Sequence, residues 1–335
     1  MKINMHEWRR QLIASPKTVA IPVMTHPGIE AIGHTVREAI TDGDIHAQAI
    51  RFLADHFPTG GTCVVMDLTV EAEAFGAPII FPEDEIASVN GRLLHTIADI
   101  EQLQVPSLHT GRISQYLRAN ALAARDVTDR PVFAGCIGPF SLAGRLYDMS
   151  EIMMLTLSEP QAAHLLLQKC TEFILRYCMA LKASGANGVL MAEPAAGLMS
   201  DDDCMKFSSQ YVKQIVDAVQ DETFMVVLHN CGNTGHCTHA MVATGADGYH
   251  FGNKCEMAEV MRDVPADKLG MGNLDPVSIF KQGSAEEVYE ATTALLDSCK
   301  AYPNFVISSG CDTPPHTPMA NVEAFFDAIA HYNND

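Results

Sequence analysis

The strand-like run 223-TFMVVLH leads directly into His229-Asn230-Cys231-Gly232, and the run 304-NFVISSG leads into Cys311-Asp312-Thr313-Pro314-Pro315. One imidazole with two thiolates is the ligand type that selects Zn2+, and three protein ligands leave the open fourth position of a catalytic zinc site. His229 and Cys231 stand two residues apart where a strand gives way to a loop, so both can turn toward one point. The plain structural alternative is a hydrogen-bonded core histidine and two packing cysteines. Glu193, closing 187-NGVLMAE, and His250, closing 246-ADGYHF, also end strands. Each is a candidate catalytic base or fourth ligand; otherwise Glu193 is a rim carboxylate held by backbone amides, and His250 a ring packed beneath the mouth. His236, Cys237 and His239 fall in the helical stretch 234-TGHCTHAMVATG, whose side chains diverge from that point. Two cysteinates make zinc a poorer Lewis acid but keep a bound thiol deprotonated and electron-rich, which suits alkyl transfer to sulfur better than hydrolysis.

Such convergence needs a scaffold that gathers strand ends. Eight β-rich runs alternate with helical stretches: 18-TVAIPVM, 62-TCVVMDL, 131-PVFAGC, 187-NGVLMAE, 223-TFMVVLH, 246-ADGYHF, 268-KLGMGN and 304-NFVISS. Alternation of this kind predicts an all-parallel sheet, and at this length a closed (β/α)8 TIM barrel with an N-terminal helical extension, whose chemistry collects at the C-terminal strand ends. A single domain is expected over 1–335, with 1–17 as the extension and 83–128, which breaks the rhythm, as an insertion covering the mouth. No Gly-x-Gly-x-x-Gly or Walker-type loop favours an open nucleotide-binding sheet instead. Asp67, after 62-TCVVM, and Asn273 and Asp275, at the end of the seventh run, are candidate cofactor contacts. Their structural alternatives are a turn residue and, for Asp275 before Pro276, a helix cap.

The chain has 335 residues, with 22 basic against 41 acidic side chains and a net charge of −19. That balance lacks the basic footprint of nucleic-acid binding. The opening MKINMHEWRRQLIASPK has no apolar core of a signal peptide, and no later run approaches the ~20 apolar residues of a spanning helix, so a cytoplasmic protein without membrane contact is expected. Thiols then stay reduced. Of the ten cysteines, Cys231 and Cys311 are expected to be chemical and eight to be packing.

The blocks 229-HNCGN, 270-GMGNLDP and 308-SSGCDTPPHTPMANVEAF resemble the uroporphyrinogen decarboxylase superfamily, a (β/α)8 barrel fold. Within it, 69-TVEAEAFGAPI and the set His229, Cys231, Cys311 resemble the methylcobalamin:coenzyme M methyltransferase branch. The resemblance implies that these three residues bind zinc, which activates a small thiol to take a methyl group from methylcobalamin or a methylated corrinoid protein. The acceptor is coenzyme M, another thiol or a folate. A uroporphyrinogen decarboxylase-like enzyme fits less well, because 21-IPVMTHPGIEAIGH lacks the arginines with which that branch holds substrate propionates. A corrinoid-binding barrel without catalysis is the third alternative. Where relatives of the methyltransferase branch carry an acidic residue after the strand following His-x-Cys, this chain reads Phe251-Gly252-Asn253-Lys254, leaving the fourth ligand open.

Overall fold

The computed structural model describes residues 3–334. Strand β1 (Thr62–Cys63) is followed by an antiparallel pair, β2 (Ile79–Ile80) and β3 (Ser88–Val89). Then come β4 (Val132–Ile137), β5 (Gly188–Ala192), β6 (Met225–Asn230), β7 (Gly248–Phe251), β8 (Leu269–Leu274) and β9 (Phe305–Ser309). β1 and β4 to β9 form one parallel sheet in sequence order. The ring is completed by the first of the eight expected runs. Ala20 bridges Ile307 of β9 in parallel, the Ile21 amide donates to the Ile307 carbonyl, and the Gly60 amide donates to the Ala20 carbonyl. The TIM barrel expected from the alternation is therefore the fold, with its first strand reduced to a few bonds.

Each strand is covered on both faces, which is why the runs read as continuous apolar stretches. Inside the barrel Val23, Phe133, Leu190, Met225, Val227, Leu269, Met271 and Val306 pack together; outside, a larger core fills the space between strands and helices. Side chains alternate along a strand, so the inward file Met225 and Val227 on β6 continues to His229. The same parity carries Val306 to Ser308 on β9. Register sets His229 opposite His250 of β7.

The N-terminal extension is a helix, Met5–Ala14, that forms the floor of the barrel. Its Met5 and Leu12 are buried among the interior residues, and Trp8 packs on Phe133 at 6.1 Å between ring centroids. Arg9 pairs with buried Asp247, just before β7, which also receives Lys268 at 2.7 Å. The β2–β3 hairpin, whose first strand precedes residue 83, and the helix Ile97–Gln102 are the irregular part at and within 83–128. The Leu93 and Leu94 amides tie this part to the Leu146 carbonyl on the helix that follows β4. Residues Ile113–Asp126 form a barrel helix leading into β4, packed against Gly43–His56. Among the described residues no helix is long and apolar enough to cross a membrane.

Candidate metal centre

His229, Cys231 and Cys311 bring one imidazole nitrogen and two sulfurs to within 4.8 Å of one another. No other such group of three His, Cys, Asp or Glu occurs among the described residues. The two cysteines are also singular in exposure: the remaining eight are buried, and these two alone reach partial exposure. His229 is 2% exposed, and its Nε2 is buried with no hydrogen-bond partner, whereas Nδ1 lies 2.8 Å from Nδ1 of His250. An unpartnered buried nitrogen is costly unless something else satisfies it. A cation held jointly with the two sulfurs satisfies it, so the residues fit zinc.

The local sequence makes room for this geometry. Asn230 Oδ1 accepts from the amides of Gly232 and Asn233, each at 3.0 Å, which bends the chain as it leaves β6 and aims Cys231 over the mouth. A side chain at Gly232 would run into the Pro194 carbonyl, and one at Gly252 would lie 2.6 Å from Cys231 Cα. The stretch after β7 that lacks an acidic residue therefore contributes an absence of bulk beside Cys231. Contact with the Cys311 thiol lowers the Cys231 thiol, with His229 adding to the effect, and the same contact raises Cys311. The pair shares its protons, as adjacent thiols in one site must.

His250 has both ring nitrogens engaged, Nδ1 with His229 and Nε2 with Ser308 Oγ at 2.9 Å. Burial, with His229 adding to it, holds His250 well below the usual histidine value, so it is neutral. Glu193, the other candidate base, is 1% exposed and accepts from the amides of Phe140 (2.7 Å) and Ser141 (2.8 Å) and from the Ser208 hydroxyl (3.0 Å). It anchors the N-terminus of the helix Pro139–Tyr147. Burial raises its carboxyl despite those donors.

Residues 17–332 match the uroporphyrinogen decarboxylase (URO-D) family. The chain belongs to that family. It is 30% identical over 273 residues to the methylcobamide:CoM methyltransferase MtbA of Methanosarcina acetivorans, covering 80% of this chain and 79% of that one. It is 25% identical to a uroporphyrinogen decarboxylase of Edwardsiella ictaluri, over 82% of this chain and 79% of that one. In fold it matches a methyltransferase from Methanosarcina mazei at a TM-score of 0.88 and 22% identity, over 99% of both chains. The resemblance read from the motifs, to this superfamily and its methyltransferase branch, holds.

The family motif 69-TVEAEAF forms the frame of the rim beside β1. Asp67 accepts from Thr69 Oγ1 at 2.6 Å, from Tyr116 at 3.0 Å and from Arg112, and Arg112 also pairs with Glu73 at 2.6 Å. Glu71 accepts from the Ile137 amide at 3.0 Å, holding the end of β4. Asn273 donates to the carbonyls of Gly252 (3.0 Å) and Cys255 (2.8 Å), and Asp275 caps Pro276–Lys281 through the amides of Val277 and Ser278 while accepting from Asn253. None of Asp67, Glu193, Asn273 and Asp275 joins the His–Cys–Cys group.

His236, Cys237 and His239 also stay away: the first two face the Met199 carbonyl, and His239 lies 4.0 Å from Asp263 on the surface. Sequence reasoning passed over His26 and Asp312. His26 Nδ1 donates to the Thr313 carbonyl at 2.8 Å and lies 3.5 Å from Asp312, whose other oxygen accepts from the Met66 amide. Burial opposes the charged form of His26, but Asp312 outweighs it and the ring is raised above its usual value. The available signal was position: both residues follow barrel strands, and Asp312 adjoins Cys311.

Proposed function

We propose that the protein is a zinc-dependent methyltransferase that moves a methyl group from methylcobalamin or a methylated corrinoid protein to the sulfur of a small thiol, coenzyme M being the leading acceptor. The observation that carries this reading is the buried, unpartnered His229 Nε2 facing two cysteine sulfurs at the mouth of the barrel. His229, Cys231 and Cys311 hold the metal. Bound there, zinc would keep an acceptor thiol deprotonated at neutral pH while leaving its sulfur nucleophilic toward the methyl group of the corrinoid donor.

The chain's own contribution is position. Cys231 and Cys311 come from different strand ends, so the barrel itself sets the spacing of the sulfurs. Partial exposure of these two cysteines leaves an approach from the mouth, while His229, His250 and Ser308 beneath them exclude water. Holding the thiolate in line with the methyl carbon converts the encounter into a nearly unimolecular step. Both carboxylate oxygens of Asp67, Glu193 and Asp275 and the Nδ2 of Asn273 are committed to protein partners, and in this reading these residues hold the rim rather than touch substrate.

Anaerobically purified protein is expected to take up one zinc and to demethylate methylcobalamin in the presence of coenzyme M. Cys311→Ala is expected to lose both. Wild-type protein that neither contains nor accepts zinc sinks the proposal. Turnover of uroporphyrinogen without metal would favour the decarboxylase alternative, against which the arginine-free stretch 21–34 argues.

A further inference from the structure

The geometry points to His250 as a positioning residue that fixes His229 in the tautomer whose Nε2 lone pair faces Cys231 and Cys311, through a chain of groups that carries no charge. This rests on the zinc reading above and assigns a role to a residue that binds neither metal nor substrate. Three buried side chains form the chain: Ser308 Oγ lies 2.9 Å from His250 Nε2, and His250 Nδ1 lies 2.8 Å from His229 Nδ1. All three are 2% exposed or less.

Only one hydrogen fits between two Nδ1 atoms at that distance. If His250 supplied it, a neutral His229 would carry its own hydrogen on Nε2, leaving no lone pair there for a cation held with the two sulfurs. If His229 supplies it, His229 Nε2 keeps its lone pair, and His250 carries its hydrogen on Nε2, where the Ser308 hydroxyl oxygen accepts it. The second arrangement gives every ring nitrogen a partner once a cation is present. Ser308 and His250 thus orient the ligand from below, as outer partners of metal-bound histidines do.

The identity of the partner has a consequence for the substrate. A metal-bound histidine is commonly backed by a carboxylate, a carbonyl or a water. Here the partner is neutral imidazole ending on a hydroxyl. Two cysteinates already balance a divalent cation, so a carboxylate at position 250 would give the centre a net negative charge before the acceptor arrived. With imidazole there, the centre stays neutral and receives an anionic thiolate without added repulsion.

Zinc affinity of the whole chain, measured by competition with a chelator, separates His250→Leu from His250→Asn, because the Asn Oδ1 falls close to the position of the histidine Nδ1 and can accept from His229. The leucine variant is expected to bind zinc about 10–100-fold more weakly, and the asparagine variant to recover most of that loss. Leucine protein that binds zinc as tightly as wild type, or asparagine protein as weak as leucine, overturns the inference. Should the leucine variant fail to fold, 15N NMR of zinc-loaded wild type decides: a protected His229 hydrogen on Nδ1 supports the assignment, and one on Nε2 refutes it. Wild type that takes up no zinc at all removes the zinc reading itself, and this inference with it.

Discussion

Replacing Glu71 with glutamine should stabilise the protein at neutral pH, by an amount that grows as pH rises. Glu71 is 1% exposed; Oε1 accepts from the Ile137 amide at 3.0 Å, and Oε2 is buried without a partner, as is the Tyr177 hydroxyl. Burial pushes the carboxyl up to about 8 from an ordinary 4.5, with Asp67 adding to the rise and the Ile137 amide and Arg112 opposing it. The folded protein therefore holds a proton that the unfolded chain releases once pH passes 4.5. Because the native state binds more protons, stability falls with rising pH through this window and levels off above the folded value. Linkage with these two values costs the wild type about 1 kcal/mol at pH 5 and about 3 kcal/mol at pH 7. Glutamine keeps the acceptor for Ile137 and does not ionise, so its advantage over wild type should widen by about 2 kcal/mol between those pH values. Urea unfolding of both proteins at pH 5, 6 and 7 measures this directly. Stability profiles that run parallel with pH would show that Glu71 is ionised in the folded protein and that its burial has been misjudged.

The rim network and the metal centre give two further expectations. Arg112→Met leaves the Asp67 carboxylate buried without its cation and should destabilise the fold by about 3–5 kcal/mol. Asp67→Asn added to that variant should restore part of the loss, and a double-mutant cycle with no coupling between the two positions argues against a buried pair. Cys237→Ala, which removes a fully buried thiol near the Met199 carbonyl, should lower stability by about 1–2 kcal/mol while leaving one zinc per chain. Loss of the metal in this variant would mean that the centre extends into the following helix.

Much of the barrel was legible because burial on both faces forces each strand into an apolar run, and the turn at its end into Gly, Asn or a charged residue. The run 18-TVAIPVM was readable in this way although it closes the ring through few backbone bonds. The segment 83–128 was harder to read. Its second half, Ile113–Asp126, is a barrel helix like the others, and only the hairpin and short helix before it interrupt the alternation. The extension read from residues 1–17 is helical over Met5–Ala14, but the place of that helix beneath the barrel depends on partners such as Phe133 and Asp247, far away in sequence.

At the centre the same division holds. The types His229, Cys231 and Cys311, and their placement after two strand runs, already implied soft-metal chemistry, because ligand type and strand ends are local properties. Whether a polar side chain at a strand end is free or occupied is decided elsewhere. Glu193 and His250 have the same sequence context as His229, yet Glu193 is taken up by the amides of Phe140 and Ser141, and His250 by His229 and Ser308. The sequence by itself determined the barrel and the chemical types at its mouth. Only the tertiary structure decided which of them remain unpartnered, because hydrogen-bond partners are assigned by strand register and by helices that return from distant parts of the chain.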